Sequence, residues 1–320
     1  MPNNFIRPER PFQPTDPAEP VQSSAGAHVS LLTVQALFGS LPVIAKIVLA
    51  QVPPLALVGF RVGITAIVLL LFQFFRRRIY LHCRTDYIRL AVLSLFGITF
   101  NQLLFIGGLS LTKAANTSLL AITIPIFTLA IGAIAGREAI SRKKIFGMAL
   151  AAAGVLILID PRRASFSSET TIGDLLIIIN SFSYSLYVAF SKEVITRNGA
   201  FRSMMWVFIF ASIICVPLGI WSIGQIEISA VKTATWWLII YIAVGATAAT
   251  YLLNAFALSR LSASVVAVYI YLQPVIGFIL AASVLREGIS ATFLVAAGLV
   301  FIGVYLTTRR QAQPESLPVT

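Results

Sequence analysis

The chain has 320 residues, of which 58% are hydrophobic and only 11% charged, and its mean hydropathy is +0.89. A soluble domain carries roughly 25% charged residues and must cover itself with polar groups, so this composition excludes a soluble enzyme, a secreted disulfide scaffold and a disordered chain. The formal net charge of +12 does not point to nucleic acid: no DNA- or RNA-binding motif accompanies it, and the basic residues fall in short segments between apolar runs.

Residues 1–26 are polar and rich in proline (Pro2, Pro8, Pro11, Pro14, Pro17, Pro20), which predicts an extended cytoplasmic tail. The tail has no apolar stretch and is not expected to be a signal peptide. Ten apolar runs follow, at approximately 28–50, 55–75, 87–109, 114–136, 145–160, 172–192, 201–222, 234–257, 263–285 and 289–308. Nearly all are long enough to cross ~30 Å of hydrocarbon as a helix, the fifth being short. Helix is the expected form, because backbone groups in lipid must pair internally and strand-length alternation is absent. Residues 161–171 read as a connecting loop and 309–320 as a second cytoplasmic tail.

In chain order, the first run places Gln35, Gly39, Pro42 and Lys46 on one helical face. The second contains Arg61, and the third Asn101 and Gln102. The fourth contains Pro125. The sixth carries Asn180, Tyr184, Tyr187 and Ser191 on one face, and the eighth Thr247, Thr250 and Asn254. The ninth carries Tyr269, Gln273 and Pro274. Polar side chains are costly in lipid, so these faces are expected to turn inward, either lining a substrate cavity or bonding helix to helix. The in-span prolines Pro42, Pro125 and Pro274 each remove a backbone donor, which suits a gating hinge or a packing kink. Lys46 and Arg61 lie within spans that have no mid-span Asp or Glu. They are expected either to meet a substrate carboxylate or to reach the interface and backbone carbonyls. The absence of a mid-span carboxylate argues against a carboxylate proton relay.

With the N-terminus placed inside, seventeen Lys and Arg fall in inside segments and five in outside ones. This bias puts both termini in the cytoplasm and requires an even number of spans. The chain also repeats itself at a spacing of 149 residues. Arg137-Glu138-Ala139-Ile140-Ser141 returns as Arg286-Glu287-Gly288-Ile289-Ser290, Pro125 meets Pro274, and Gly154-Val155 meets Gly303-Val304. A slightly shifted alignment sets Ala45-Lys46 against Ser191-Lys192. Two units of five spans make the second inverted relative to the first, a design that puts a substrate site at the midplane between them. The Arg-Glu pairs are expected to anchor span ends by local pairing. Gly59/Gly63 and Gly132/Gly136 have the small-xxx-small spacing that permits close helix contact.

The run Phe105-Ile106-Gly107-Gly108-Leu109 through Ala114, Pro125 and Gly136-Arg137-Glu138 to Leu158 resembles the EamA domain. The stretch from Leu258 through Pro274 and Arg286-Glu287 to Gly303 resembles a second copy, with Leu285 where the first has Gly136. EamA proteins belong to the drug/metabolite transporter superfamily. The resemblance implies an all-α integral membrane protein of ten helices in two inverted repeats, 27–160 and 172–308. It also implies a central cavity lined by spans 1, 3, 4, 6, 8 and 9.

These readings converge on a secondary transporter in the cytoplasmic membrane, inner if bacterial. It is expected to export amino acids or related carboxylate-bearing metabolites. The expected substrate contacts are Gln35, Gly39, Lys46, Asn101, Gln102, Asn180, Tyr184, Thr250, Asn254, Tyr269 and Gln273. A channel-like facilitator or exchanger of drugs or sugars, or a non-transporting scaffold, is the alternative. An enzyme is not expected, since no H-E-x-x-H or G-x-S-x-G appears and the histidines are only His28 and His82. Cys83 and Cys215 give no metal or disulfide pattern, and no cofactor is called for. The expected partners are a small-molecule substrate and the lipid bilayer; the sequence leaves the oligomeric state open, with a monomer as one reading.

Overall fold

The computed structural model describes residues 24–159, 170–276 and 291–308. The expected tails, most of the connecting loop and the Arg286-Glu287 pair lie outside the described residues. Among the described residues every regular element is a helix. Six are long and apolar enough to cross a membrane: α1 (Ser24–Leu49), α2 (Pro54–Phe75), α3 (Arg84–Leu111), α7 (Thr171–Asn198), α8 (Ala200–Ile223) and α9 (Thr233–Leu258). Their outer faces carry exposed apolar side chains such as Val43, Ile67, Ile213 and Trp237, as a lipid-facing surface requires.

The expected fourth span, 114–136, is not one helix. It breaks into α4 (Ala114–Leu120) and α5 (Thr123–Ile134). The 12 residues of α5 cover only about 18 Å, short of a crossing. Proline explains the break. Pro125 cannot donate to the carbonyl of Ala121, and the Ile124 N–H takes that carbonyl instead at 3.1 Å, turning the chain tighter. The same event recurs in α10 (Ala263–Ile276). Pro274 cannot serve the Ile270 carbonyl, the Gln273 N–H takes it, and Tyr269–Leu272 winds as a 3-10 turn. Both prolines therefore stand just after a break instead of in mid-helix, whereas Pro42 sits inside the unbroken α1. Two further helices are α6 (Arg142–Ile159) and α11 (Ala291–Thr308).

The repeat spacing is visible in the backbone. A π-turn interrupts α3 at Leu95–Thr99 and another interrupts α9 at Val244–Ala249. Residues 149 apart also touch: Gln102 Nε2 donates to Tyr251 Oη at 3.0 Å, and Tyr271 Oη to the Ile122 carbonyl at 3.2 Å.

Two helix pairs cross through glycine. A Cβ on Gly59 of α2 would lie 2.7 Å from the Cα of Gly219 in α8, and one on Gly63 would lie 3.0 Å from Val216. A Cβ on Gly147 of α6 would meet the Gly303 carbonyl of α11 at 2.7 Å, and one on Gly154 the Ala296 carbonyl at 2.6 Å. In both pairs the numbering climbs on one helix as it falls on the other, so the helices run antiparallel. Gly132 packs on Glu138, and Gly136 turns the chain at φ +65° after α5.

Polar ties close the helix ends. Buried Asp86 at the start of α3 accepts from Arg197 and Asn198 at the end of α7. Glu138 does not pair with its neighbour Arg137. It takes Lys144 at 3.2 Å and the start of α10, through the Ser264 N–H at 2.8 Å and the Ser264 hydroxyl. The local pairing is thus made with Lys144 in place of Arg137, and Glu138 adds a contact between halves, because the first N–H groups of a helix lack partners of their own.

Gly59→Val should force α2 and α8 apart and lower stability by about 2 kcal/mol or more, since backbone sits where the methyls would go. A melting curve of the detergent-purified protein measures this, and an unchanged midpoint would show that the close crossing is dispensable.

Candidate functional site

A cavity of about 100 Å³ lies between the helices, with room for several water molecules. Its wall comes from α1, α2, α3, α4, α5, α7, α9 and α10. Seven of the expected substrate contacts line it: Gln35, Asn101, Gln102, Asn180, Tyr184, Asn254 and Gln273. Pro42 lines it as well. Four expected contacts do not. Lys46 Nζ donates to the Thr112 carbonyl at 2.7 Å, closing the C-terminal end of α3. Thr250 is fully buried and its hydroxyl turns back on its own helix, to the Ala246 and Thr247 carbonyls. Tyr269 Oη meets His28 Nδ1 at 2.6 Å, and Gly39 is half-buried away from the wall.

Most bonds among the lining side chains join the two halves of the sequence, the Asn254–Tyr184 bond lying within the second. Gln273 Nε2 donates to Gln35 Oε1 at 2.9 Å, and Asn101 Nδ2 to Asn180 Oδ1 at 2.7 Å. Tyr251 Oη accepts from Gln102 and stands 2.9 Å from Asn101 Oδ1 and 3.2 Å from the Gly97 carbonyl. Its ring meets Phe38, Tyr184 and Phe208 edge-on. Asn254 Nδ2 donates to Tyr184 Oη.

Arg61 is the charge of the site. It is 1% exposed, and among the described residues no Asp or Glu lines the cavity with it. Its Nε and Nη2 donate to the single oxygen Thr247 Oγ1, at 3.1 and 3.0 Å. Among the described residues its Nη1 has no hydrogen-bond partner, and neither do Oε1 of Gln102 and Oδ1 of Asn254, two further residues that line the cavity. Leaving such a group unpaired in a dry interior costs about 1–3 kcal/mol, more when it is charged. Arg61, Gln102 and Asn254 thus line a cavity framed by the apolar side chains of Phe38, Leu41, Phe105 and Ile270, and each keeps a buried side-chain atom with no partner among the described residues.

The sequence marked Arg61 as an in-span cation but did not single it out among the contacts. It missed Tyr251 altogether. The signal was available: Tyr251 falls four residues after Thr247 and three before Asn254, on the stripe already recognised. Among the described residues no three His, Cys, Asp or Glu side chains come together as metal ligands.

The profile of the EamA-like transporter family matches residues 26–160 and again 171–309. The chain belongs to the EamA-like transporter family. Relatives of the family cover nearly its whole length. An uncharacterized transporter of Archaeoglobus fulgidus is 26% identical over 89% of this chain and 98% of its own. A protein of Salmonella typhimurium named a probable amino-acid metabolite efflux pump is 28% identical over 86% of this chain and 92% of its own. A solved crystal structure superposes with a TM-score of 0.72 over 90% of this chain and 100% of its own, at 18% identity, which speaks for the fold alone. The EamA chain is thus a membrane transporter and not an enzyme.

Tyr251→Phe removes the hydroxyl that holds Gln102 and Asn101, and should lower stability by about 1–3 kcal/mol while the fold persists. Lys46→Gln, away from the cavity, should weaken transport of charged and neutral substrates equally. A loss confined to carboxylates would return Lys46 to the substrate path.

Proposed function

We propose that this EamA protein is a secondary transporter that exports amino acids or related small carboxylate-bearing metabolites by alternating access around the central cavity. The observation that carries this reading is that Arg61, Gln102 and Asn254, which line the cavity, each keep a side-chain atom without a partner among the described residues. Arg61 Nη1 suits a carboxylate, while Gln102 Oε1 and Asn254 Oδ1 suit an ammonium. Together they match a small zwitterion in charge and in hydrogen-bond direction. The printed name of the Salmonella relative, an amino-acid metabolite efflux pump, agrees with this substrate class.

The architecture proposed for the movement is two inverted five-helix halves, 27–160 and 172–308. Three observations support it. Helix irregularities and proline breaks recur at the repeat spacing, residues at that spacing touch, and α2/α8 and α6/α11 cross antiparallel. An operation that brings equivalent residues together while reversing helix direction is a twofold axis in the membrane plane. A wider cavity of about 1000 Å³ supports an access path from one side. Val188 and Val266 line the central cavity, and the adjoining turns of the same helices, at Lys192 and Ala263, line the wider one. Under the Lys/Arg bias that wider cavity faces the cytoplasm, with both termini on the same side.

The purified protein should be stabilised by one or more of the twenty common amino acids, as a raised melting temperature. Arg61→Gln should weaken that effect and the corresponding transport about tenfold or more, and Gln273→Ala should weaken transport with insertion intact. Liposome flux should saturate and be accelerated by substrate on the far side. Flux proportional to concentration would instead identify a channel, and no stabilisation by any amino acid would remove the proposed substrate class.

A further inference from the structure

Arg61 works only if its guanidinium is held with the right edge toward the cavity, and one residue does the holding. We propose that Thr247 is the positioning residue that fixes Arg61 for substrate carboxylate. This inference rests on the reading of Arg61 given above.

The hydroxyl of Thr247 has one proton and two lone pairs. The proton goes to the Ile242 carbonyl, five residues back, at 2.7 Å. Both Arg61 donors, Nε and Nη2, converge on the oxygen that remains. The hydroxyl is therefore fully committed, and so is one edge of the guanidinium. What is left is Nη1, which has no partner among the described residues, on a side chain that lines the cavity. A buried cation with no such clamp is free to rotate toward any carbonyl in reach, and its free corner is then lost to the substrate.

The π-turn Val244–Ala249 is what makes this geometry possible. An extra residue in a helical turn rotates everything after it by about 100° relative to an uninterrupted helix. Thr247 sits inside that turn, facing α2, and Tyr251 and Asn254 then follow on the cavity wall.

The pair is also where the two halves differ. At the repeat spacing of 149 the residue equivalent to Thr247 is Ile98, within the π-turn of α3. Aligning the starts of α2 and α8, Pro54 with Ala200, sets Val207 against Arg61. Ile98 and Val207 are both fully buried and apolar. The scaffold thus accepts a hydrocarbon pair at one of its two equivalent positions. A buried Arg–Thr pair at the other is not required by packing, and its remaining demand is for an anion.

The test compares discrimination between each stabilising amino acid and its amide, read as the ratio of apparent affinities. In the intact chain the amino acid should be preferred. Thr247→Val, which keeps the shape and removes the oxygen, should raise KM for the amino acid about tenfold, with little change in maximal rate, and flatten the preference. Thr247→Ser should restore it. Arg61→Lys, which keeps the charge and loses the two-donor edge, should behave like Arg61→Gln, and it carries the test if Thr247→Val does not assemble. A Thr247→Val or Arg61→Lys protein that discriminates like the intact chain overturns the positioning role, even if Arg61→Gln has lost the preference. An Arg61→Gln protein that still discriminates overturns the carboxylate reading itself.

Discussion

Inside a bilayer there is no water to satisfy a polar group, so each one must be paired within the protein or left for a ligand. This single constraint organises the structure. Backbone groups are paired within helices, and where proline breaks the pattern at Pro125 and Pro274 the nearest N–H closes the gap one residue early. Side chains are paired between the halves, as in Gln35 with Gln273 and Asn101 with Asn180. Among the described residues a few buried side-chain atoms stay without a hydrogen-bond partner, and three of them belong to residues that line the cavity, Arg61, Gln102 and Asn254.

The halves meet in two ways that differ in chemistry. Around the outside, α2 with α8 and α6 with α11 press backbone on backbone through glycine, where dispersion and close approach replace the hydrophobic drive that lipid cannot provide. Around the cavity they meet through amides and hydroxyls. Amide pairs such as Asn101 with Asn180 can part and re-form at modest cost, whereas an interlocked glycine crossing has few other arrangements. The glycine crossings suit a fulcrum, and the polar contacts suit surfaces that separate as a substrate passes.

The two breaks at Ala121 and Ile270 matter for the same reason. They lie on the cavity wall and are equivalent in the two halves. A helix tightened by one residue at the level of the cavity presents carbonyls and side chains in directions a straight helix cannot. The π-turns do the same from the facing side. The irregular backbone thus lies in the protein interior, which is where a membrane protein can carry it.

Composition and hydropathy were sufficient to determine the membrane, the helices and the apolar exterior, because lipid imposes them on any chain with this content. The repeat, too, was legible, since Arg137-Glu138 and Pro125 recur in order along the chain. Helical spacing identified most of the wall, from Gln35 to Gln273, because a polar stripe in lipid must face inward. It did not separate Lys46, whose amine closes a helix end, from Arg61, which lines the cavity. Both are cations within apolar runs, and nothing local distinguishes them. Only the packed helices decided which one has Thr112 within reach and which has Thr247. A polar residue's role in lipid depends on the partner that distant parts of the chain bring to it, and that partner is a property of the tertiary structure.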